Sequence, residues 1–187
     1  VILRKGISKN DKALPNILSI GDKPPKASRY ANLNSNIYKY CENILQNENT
    51  YKAITSLLVK SYPNIKGIKL GEKIIKSTDF EKEIPKILLN LNDSYLFCQG
   101  PPGTGKTYQA ASAIVELMRN KKTVAVTANS HKVIHNLLEK VEEIAKEKKF
   151  TFSGLKKGNK DDEETFFNGK YIKNATDDRP FLSGLRE

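Results

Sequence analysis

A chain of 187 residues with 38% apolar side chains can bury one ordinary core plus a smaller appendage, and it has no apolar run near the roughly 18 residues of a membrane span. Thirty-two Lys and Arg against twenty-one Asp and Glu leave a formal charge of +11. That excess favours a polyanionic partner over an acidic one, although the lysines are spread along the whole sequence, as in lysine-rich proteomes.

The opening VILRKGISKN is too short and too soon charged for a signal peptide, and a first residue of Val1 suggests a piece of a longer polypeptide. Cys41 and Cys98 stand far apart with no CxxC or Cys/His spacing, which gives no sign of a disulfide framework or a zinc site and suits a reducing, cytoplasmic setting. Residues 1–35 are rich in Pro, Asn, Ser and Gly without a sustained period and read as a linker or connecting arm. Residues 36–92 read as mainly helical. Apolar positions at Ile37, Cys41, Ile44 and Leu45, then at Tyr51, Ile54, Leu57 and Leu58, predict two short helices broken around QNEN. In STDFEKEIPKILLNLN, Thr78 with Glu81 three residues on has the form of a capping box, while Pro85 lacks the N–H that a helix interior donates, so a kinked or restarted helix is expected.

Residues 93–187 read as a partial P-loop domain. SYLFC, residues 94–98, is a short apolar run, and Ala110, Ala113, Ile114, Leu117 and Met118 recur at helical spacing after a glycine-rich turn. TVAVTA, residues 123–128, is β-branched. The order strand, loop, helix, strand predicts a parallel pair with a right-handed crossover, the start of an α/β sheet. Val133, Ile134, Leu137, Leu138, Val141, Ile144 and Ala145 then predict a further helix from about Ser130, covering that sheet. Residues 150–187 have turn residues and charge runs without a period and read as an insertion or long loop.

Gly100, Gly105, Lys106 and Thr107 satisfy G-x-x-x-x-G-K-[ST], with Gly103 as a further glycine inside the loop. Wrapping a pyrophosphate needs successive backbone N–H groups pointing inward, a conformation that residues without a Cβ adopt most easily. The helix N-terminus that follows favours anionic oxygens. Lys106 adds a full charge near the β and γ phosphates, and the Thr107 hydroxyl can ligate Mg²⁺. Gln99, Gly100, Pro101, Pro102, Gly103, Thr104, Gly105, Lys106, Thr107 and Tyr108 form the expected ATP-binding set, with Lys106 and Thr107 as its catalytic members and ATP and Mg as cofactors.

QGPPGTGKTYQAASAIVELM followed by KKTVAVTANSHKVIHNLLEKV resembles the first two motifs of superfamily 1 helicases, in the branch with RecB-like nuclease/helicase proteins. The resemblance covers about residues 94–142 and extends loosely to DRPFLSGLRE. It implies the amino-terminal part of a first RecA-like domain: an α/β, P-loop NTPase fold whose parallel sheet is incomplete here, preceded by a mainly helical segment. The second stretch is similar to motif Ia, which in those helicases grips single-stranded nucleic acid. Thr127, Asn129, Ser130 and His131 are the implied contacts, on DNA ahead of RNA, and the remainder of a helicase polypeptide is the implied partner. Short hydroxyl and amide side chains suit phosphate contacts, and Asn129 and Ser130 are equally suited to cap the next helix. A P-loop ATPase or kinase without nucleic acid, and a non-enzymatic nucleic-acid-binding module, are the alternative readings.

His131 and His135 stand four apart, but no third ligand is visible and Lys132 occupies the place of an HExxH glutamate, so the pair does not read as a metal site. His131, in the helix's first turn, reads as surface or nucleic-acid-facing. The run Asp161 to Glu164 reads as a solvated face rather than a Walker B acid, which must end a buried hydrophobic strand. The hydrolytic glutamate, the γ-phosphate sensor and the arginine finger of such an engine have no match in these residues.

Overall fold

The computed structural model describes residues 31–177. Most of the expected arm and the terminal DRPFLSGLRE therefore lie outside the described residues. The chain divides into two contact units, Val1–Tyr51 and Lys52–Glu187.

In the first unit, α1 spans Ala31–Leu45, so its helix already includes residues 31–35, the last part of the expected arm. It ends where the sequence breaks at QNEN, because Asn47 and Asn49 take positive φ of 55° and 53°. Asparagine is among the residues that tolerate that conformation. Buried Asn43 closes the turn: its Nδ2 donates to Glu48 Oε2 at 2.7 Å and Thr50 Oγ1 at 2.9 Å, and its Oδ1 accepts from the Thr50 N–H at 3.1 Å.

The second unit opens with α2, Lys52–Leu58, the second of the two short helices expected. After it, residues 61–66 are tied to the chain that leads into the glycine-rich loop. Ile65 bridges Leu91 in antiparallel fashion, Lys66 N–H donates to Asn90 O at 2.9 Å, and the Tyr95 hydroxyl donates to Ser61 O at 2.7 Å. Helix α3 spans Phe80–Leu89 and runs unbroken through Pro85, so the expected restart does not occur. Pro85 forfeits only the bond to the Glu81 carbonyl, and its ring is buried in return. The capping box is not formed either. Asp79 is the N-cap, but its side chain pairs with Lys82 Nζ at 2.8 Å instead of capping the helix, and Glu81 turns away to Ser112 and Lys148.

Helices α4, Lys106–Arg119, and α5, His131–Glu147, carry the core. Ala111 and Val115 of α4 pack with Val141, Ile144 and Ala145 of α5, and Ile114, Met118, Leu137, Phe150 and Phe152 close around them. Full burial of an Ile or Val side chain contributes about 1.5–3 kcal/mol, so Val115 and Ile144, both at most 1% exposed, anchor the pair. Ser112, 1% exposed, donates to Glu81 Oε1 at 3.3 Å, and Lys148 Nζ approaches the same oxygen at 3.3 Å, tying α3, α4 and the end of α5 together.

The sheet is not where the sequence placed it. Residues 94–98 and 123–128 belong to no ladder among the described residues, and Phe97 is 70% exposed. A strand exists through its backbone ladder, and these two apolar runs form none among the described residues. The parallel pair lies instead in the stretch expected to be insertion or loop: β1, Gly154–Lys157, and β2, Ile172–Ala175, with Gly154 opposite Ile172 and Lys157 opposite Ala175. Residues 158–171 make the crossover, with a 3-10 turn at Glu163–Thr165 rather than an α-helix. Thr165 and Asn174 hold it: Thr165 Oγ1 donates to Asp162 O at 2.6 Å, and Asn174 exchanges hydrogen bonds with the Phe167 backbone at 2.9 and 2.8 Å. Asp161 to Glu164 are exposed, as a solvated face requires.

Candidate functional site

The glycine-rich loop feeds directly into α4, with Gly105 as its N-cap at φ 75° and ψ 13°. Gly103 also has positive φ, 81°. Side chains rarely adopt this left-handed region, which accounts for glycine at both positions. Gly100 is required for another reason: a Cβ there would meet Thr104 Oγ1 at 2.9 Å. Thr104 Oγ1 donates to Pro101 O at 2.9 Å and so closes the loop on itself.

Lys106 folds back into this ring. Its Nζ donates to Gly100 O at 2.6 Å and to Pro101 O at 2.5 Å and lies 3.5 Å from Thr104 Oγ1. The ammonium is thus held over the loop by two carbonyls and a hydroxyl oxygen, with no carboxylate among its contacts in the described residues, ready to exchange neutral partners for anionic oxygens. Gln99 and residues 101–108 are exposed, so the loop faces solvent. Loop glycines, a cation and a helix N-terminus bearing Thr107 are the donor set that a Mg-bound triphosphate requires. The residues present fit that group.

The second expected constellation heads α5. Ser130 is the N-cap, its backbone extended at φ −147°, and its Oγ accepts from the Val133 N–H at 3.3 Å. The cap uses a lone pair of the hydroxyl oxygen and leaves the hydroxyl proton to donate elsewhere, so capping and contact with an anion are compatible in one side chain. Thr127, Asn129 and His131 are exposed beside it. Lys148 Nζ, at the C-cap of α5, is 3.5 Å from Ser112 Oγ of α4, and the two helices pack along each other through Ala111, Val115, Val141, Ile144 and Ala145.

Sequence reasoning missed Lys156. It is 5% exposed on the inner face of β1, and its Nζ reaches His131 Nδ1 at 2.9 Å, Lys157 O at 2.5 Å and Thr165 O at 2.9 Å. Burial pushes its pKa below the ordinary lysine value. Nothing in LKKGNK distinguishes it from its solvated neighbours. The rings of His131 and His135 lie 6.3 Å apart, His135 rests 5.6 Å from the Phe167 ring, and no cluster of three metal-ligating side chains occurs among the described residues.

The family of the type III restriction enzyme, res subunit, matches residues 64–181, more than half of the chain. No curated protein and no solved structure matches. With the loop, lysine and helix, the family match supports a P-loop ATP-binding domain of the helicase type. The chain belongs to the family of the type III restriction enzyme res subunit. The match starts at residue 64, well ahead of the glycine-rich loop, and runs through β1 and β2. Domains of that family generally use ATP and Mg. No helix among the described residues is long and apolar enough to cross a membrane.

Proposed function

We propose that the chain is the ATP-binding part of a superfamily 1 helicase, similar to the RecB-like nuclease/helicase branch, that couples ATP hydrolysis to movement along single-stranded DNA. The observation that carries this reading is the loop ahead of α4, with Gly103 and Gly105 at positive φ and the Lys106 ammonium folded over it, together with a second N-terminus headed by Ser130 on the helix packed against α4. Residues 99–108 would cradle the triphosphate. Lys106 would leave the Gly100 and Pro101 carbonyls for the β and γ phosphate oxygens, and the Thr107 hydroxyl would take a place in the Mg²⁺ shell. The metal supplies charge neutralisation between the phosphates.

Thr127, Asn129, Ser130 and His131 would hold the strand by its phosphates, which positions it without reading its sequence. In-line attack also needs an acid to orient water and a cation on the transition state. Exposed Asp161 to Glu164 do not supply the acid, so these groups are expected from the rest of the helicase polypeptide in its cytoplasmic setting. The test is ATP turnover and oligonucleotide binding by the full-length polypeptide. The reading expects turnover stimulated by single-stranded DNA, with strand affinity falling on a log-log salt slope of about −0.7 per phosphate neutralised. Changing Asn129 and Ser130 to Ala should lower affinity and stimulation together. Turnover indifferent to nucleic acid would favour a P-loop ATPase or kinase of another kind.

A further inference from the structure

The β1–β2 module lies along one face of α5. Its contacts fall at His131, His135 and Glu142, positions separated by four and then seven residues, which share a helical face. Glu142 grips the far end of the module: its two carboxylate oxygens accept the N–H groups of Lys170 and Tyr171, each at 2.8 Å. Phe167 packs on His135 in the middle. At the near end stands Lys156 of β1, whose Nζ meets His131 in the first turn of α5, the residue after the Ser130 cap.

An ammonium has three N–H donors and no acceptor. Lys156 has three partners at hydrogen-bond distance, two of them backbone carbonyls that can only accept. The third, His131 Nδ1, therefore accepts as well when the side chain is an ammonium. A buried cation without a carboxylate is costly to keep, and this one is satisfied only if the ring offers a lone pair at Nδ1. Which imidazole nitrogen carries the proton is set by the hydrogen bond that the other one makes.

We propose that Lys156 is a positioning residue of the strand site, which holds His131 neutral with its proton on Nε2, so that Nε2–H donates to a backbone phosphate of single-stranded nucleic acid beside the Ser130 hydroxyl. The proposal rests on the strand reading given above. It also gives the β1–β2 module a role: the stretch that reads as insertion sets the donor pattern at the head of α5. An uncharged Lys156 amine accepting from Nδ1–H would put the ring proton on the other nitrogen, and is the competing arrangement.

Two measurements on the full-length polypeptide decide it. Nitrogen-15 NMR of the histidine rings should find His131 in the Nε2–H form, and Lys156→Met should move it toward Nδ1–H. Binding of an oligothymidylate should weaken about fivefold in Lys156→Met, the loss of one net hydrogen bond. The same substitution in a His131→Ala background should cost nothing further, because the effect passes through the ring. Glu142→Ala, which loosens the same module without touching His131, should leave strand affinity unchanged. An Nδ1–H ring in the wild type, an unchanged affinity in Lys156→Met, or equal losses with and without His131 would each overturn the inference. If the wild type fails to bind the oligonucleotide, the strand reading and this inference fall together. Wild-type binding with the wrong tautomer removes the inference alone.

Discussion

The Lys106 ammonium sits 2.6 Å from the Gly100 carbonyl oxygen, so the cation of the loop is folded back on the residue that begins it. Its removal exposes no core, since the side chain is at the surface. Lys106→Ala is therefore expected to abolish ATP turnover in the full-length polypeptide while leaving circular dichroism and melting temperature close to the parent's. Steady-state ATPase assays beside a thermal melt check both halves, and turnover near the parent level would refute the assignment of the loop.

Thr107 follows Lys106 in the first turn of α4 and offers a hydroxyl rather than a charge. Thr107→Ala should act through the metal. The defect in turnover is expected to shrink as Mg²⁺ is raised, whereas that of Lys106→Ala should not respond. A Mg²⁺ titration of both variants separates the two roles, and an identical metal response in the two would remove Thr107 from the metal shell.

The grip of Glu142 on the Lys170 and Tyr171 N–H groups is a charge-assisted pair from one side chain. Glu142→Ala leaves both donors without that partner and should destabilise the second unit by about 1–3 kcal/mol. Chemical denaturation of the parent and variant measures it. A change within error would mean that water replaces the carboxylate at no cost.

Much of this arrangement was legible in the sequence, and the reasons differ by element. Helices α4 and α5 announce themselves by the helical spacing of Ala113, Ile114, Leu117 and Met118 and of Ile134, Leu137, Leu138, Val141, Ile144 and Ala145, although Ala110 and Val133 of the expected stripes are exposed and the innermost positions of α4 are Ala111 and Val115. The loop is legible because positive φ at Gly103 and Gly105 and close approach at Gly100 each demand glycine. The strands were misplaced for an equally physical reason. Residues 94–98 and 123–128 have β-branched or apolar composition but form no backbone ladder among the described residues, whereas β1 is GLKK and β2 is IKNA, each four residues long and carrying lysine. Their pairing is supported by Glu142, distant in sequence, and by the short-range polar contacts of Thr165 and Asn174 within the module, none of which a local period reveals. Lys156 was invisible for the same reason. Pro85 misled because the rule against mid-helix proline counts the lost hydrogen bond and not the buried ring.

Burial lowers the Lys156 pKa, and this gives stability a pH dependence of definite sign. Between the folded value and the ordinary lysine value the unfolded chain binds the extra proton, so stability rises with pH through that window and is lost again as pH falls through the folded value. Lys76, Lys82 and Lys140, held up by their carboxylate partners, push the other way. The isolating comparison is Lys156→Met, in which the upward slope of unfolding free energy on the alkaline side should flatten. An unchanged slope would show that Lys156 is not the group responsible.

The central claim is that residues 99–108 hold a Mg-bound triphosphate. Its most direct test is equilibrium binding of a fluorescent ATP analogue to the 187-residue chain, with and without Mg²⁺, compared with Lys106→Ala. The account predicts weak but saturable, Mg²⁺-dependent binding that ATP displaces and that is lost in the variant. Binding that is equally strong in Lys106→Ala, or that ATP does not displace, would contradict it.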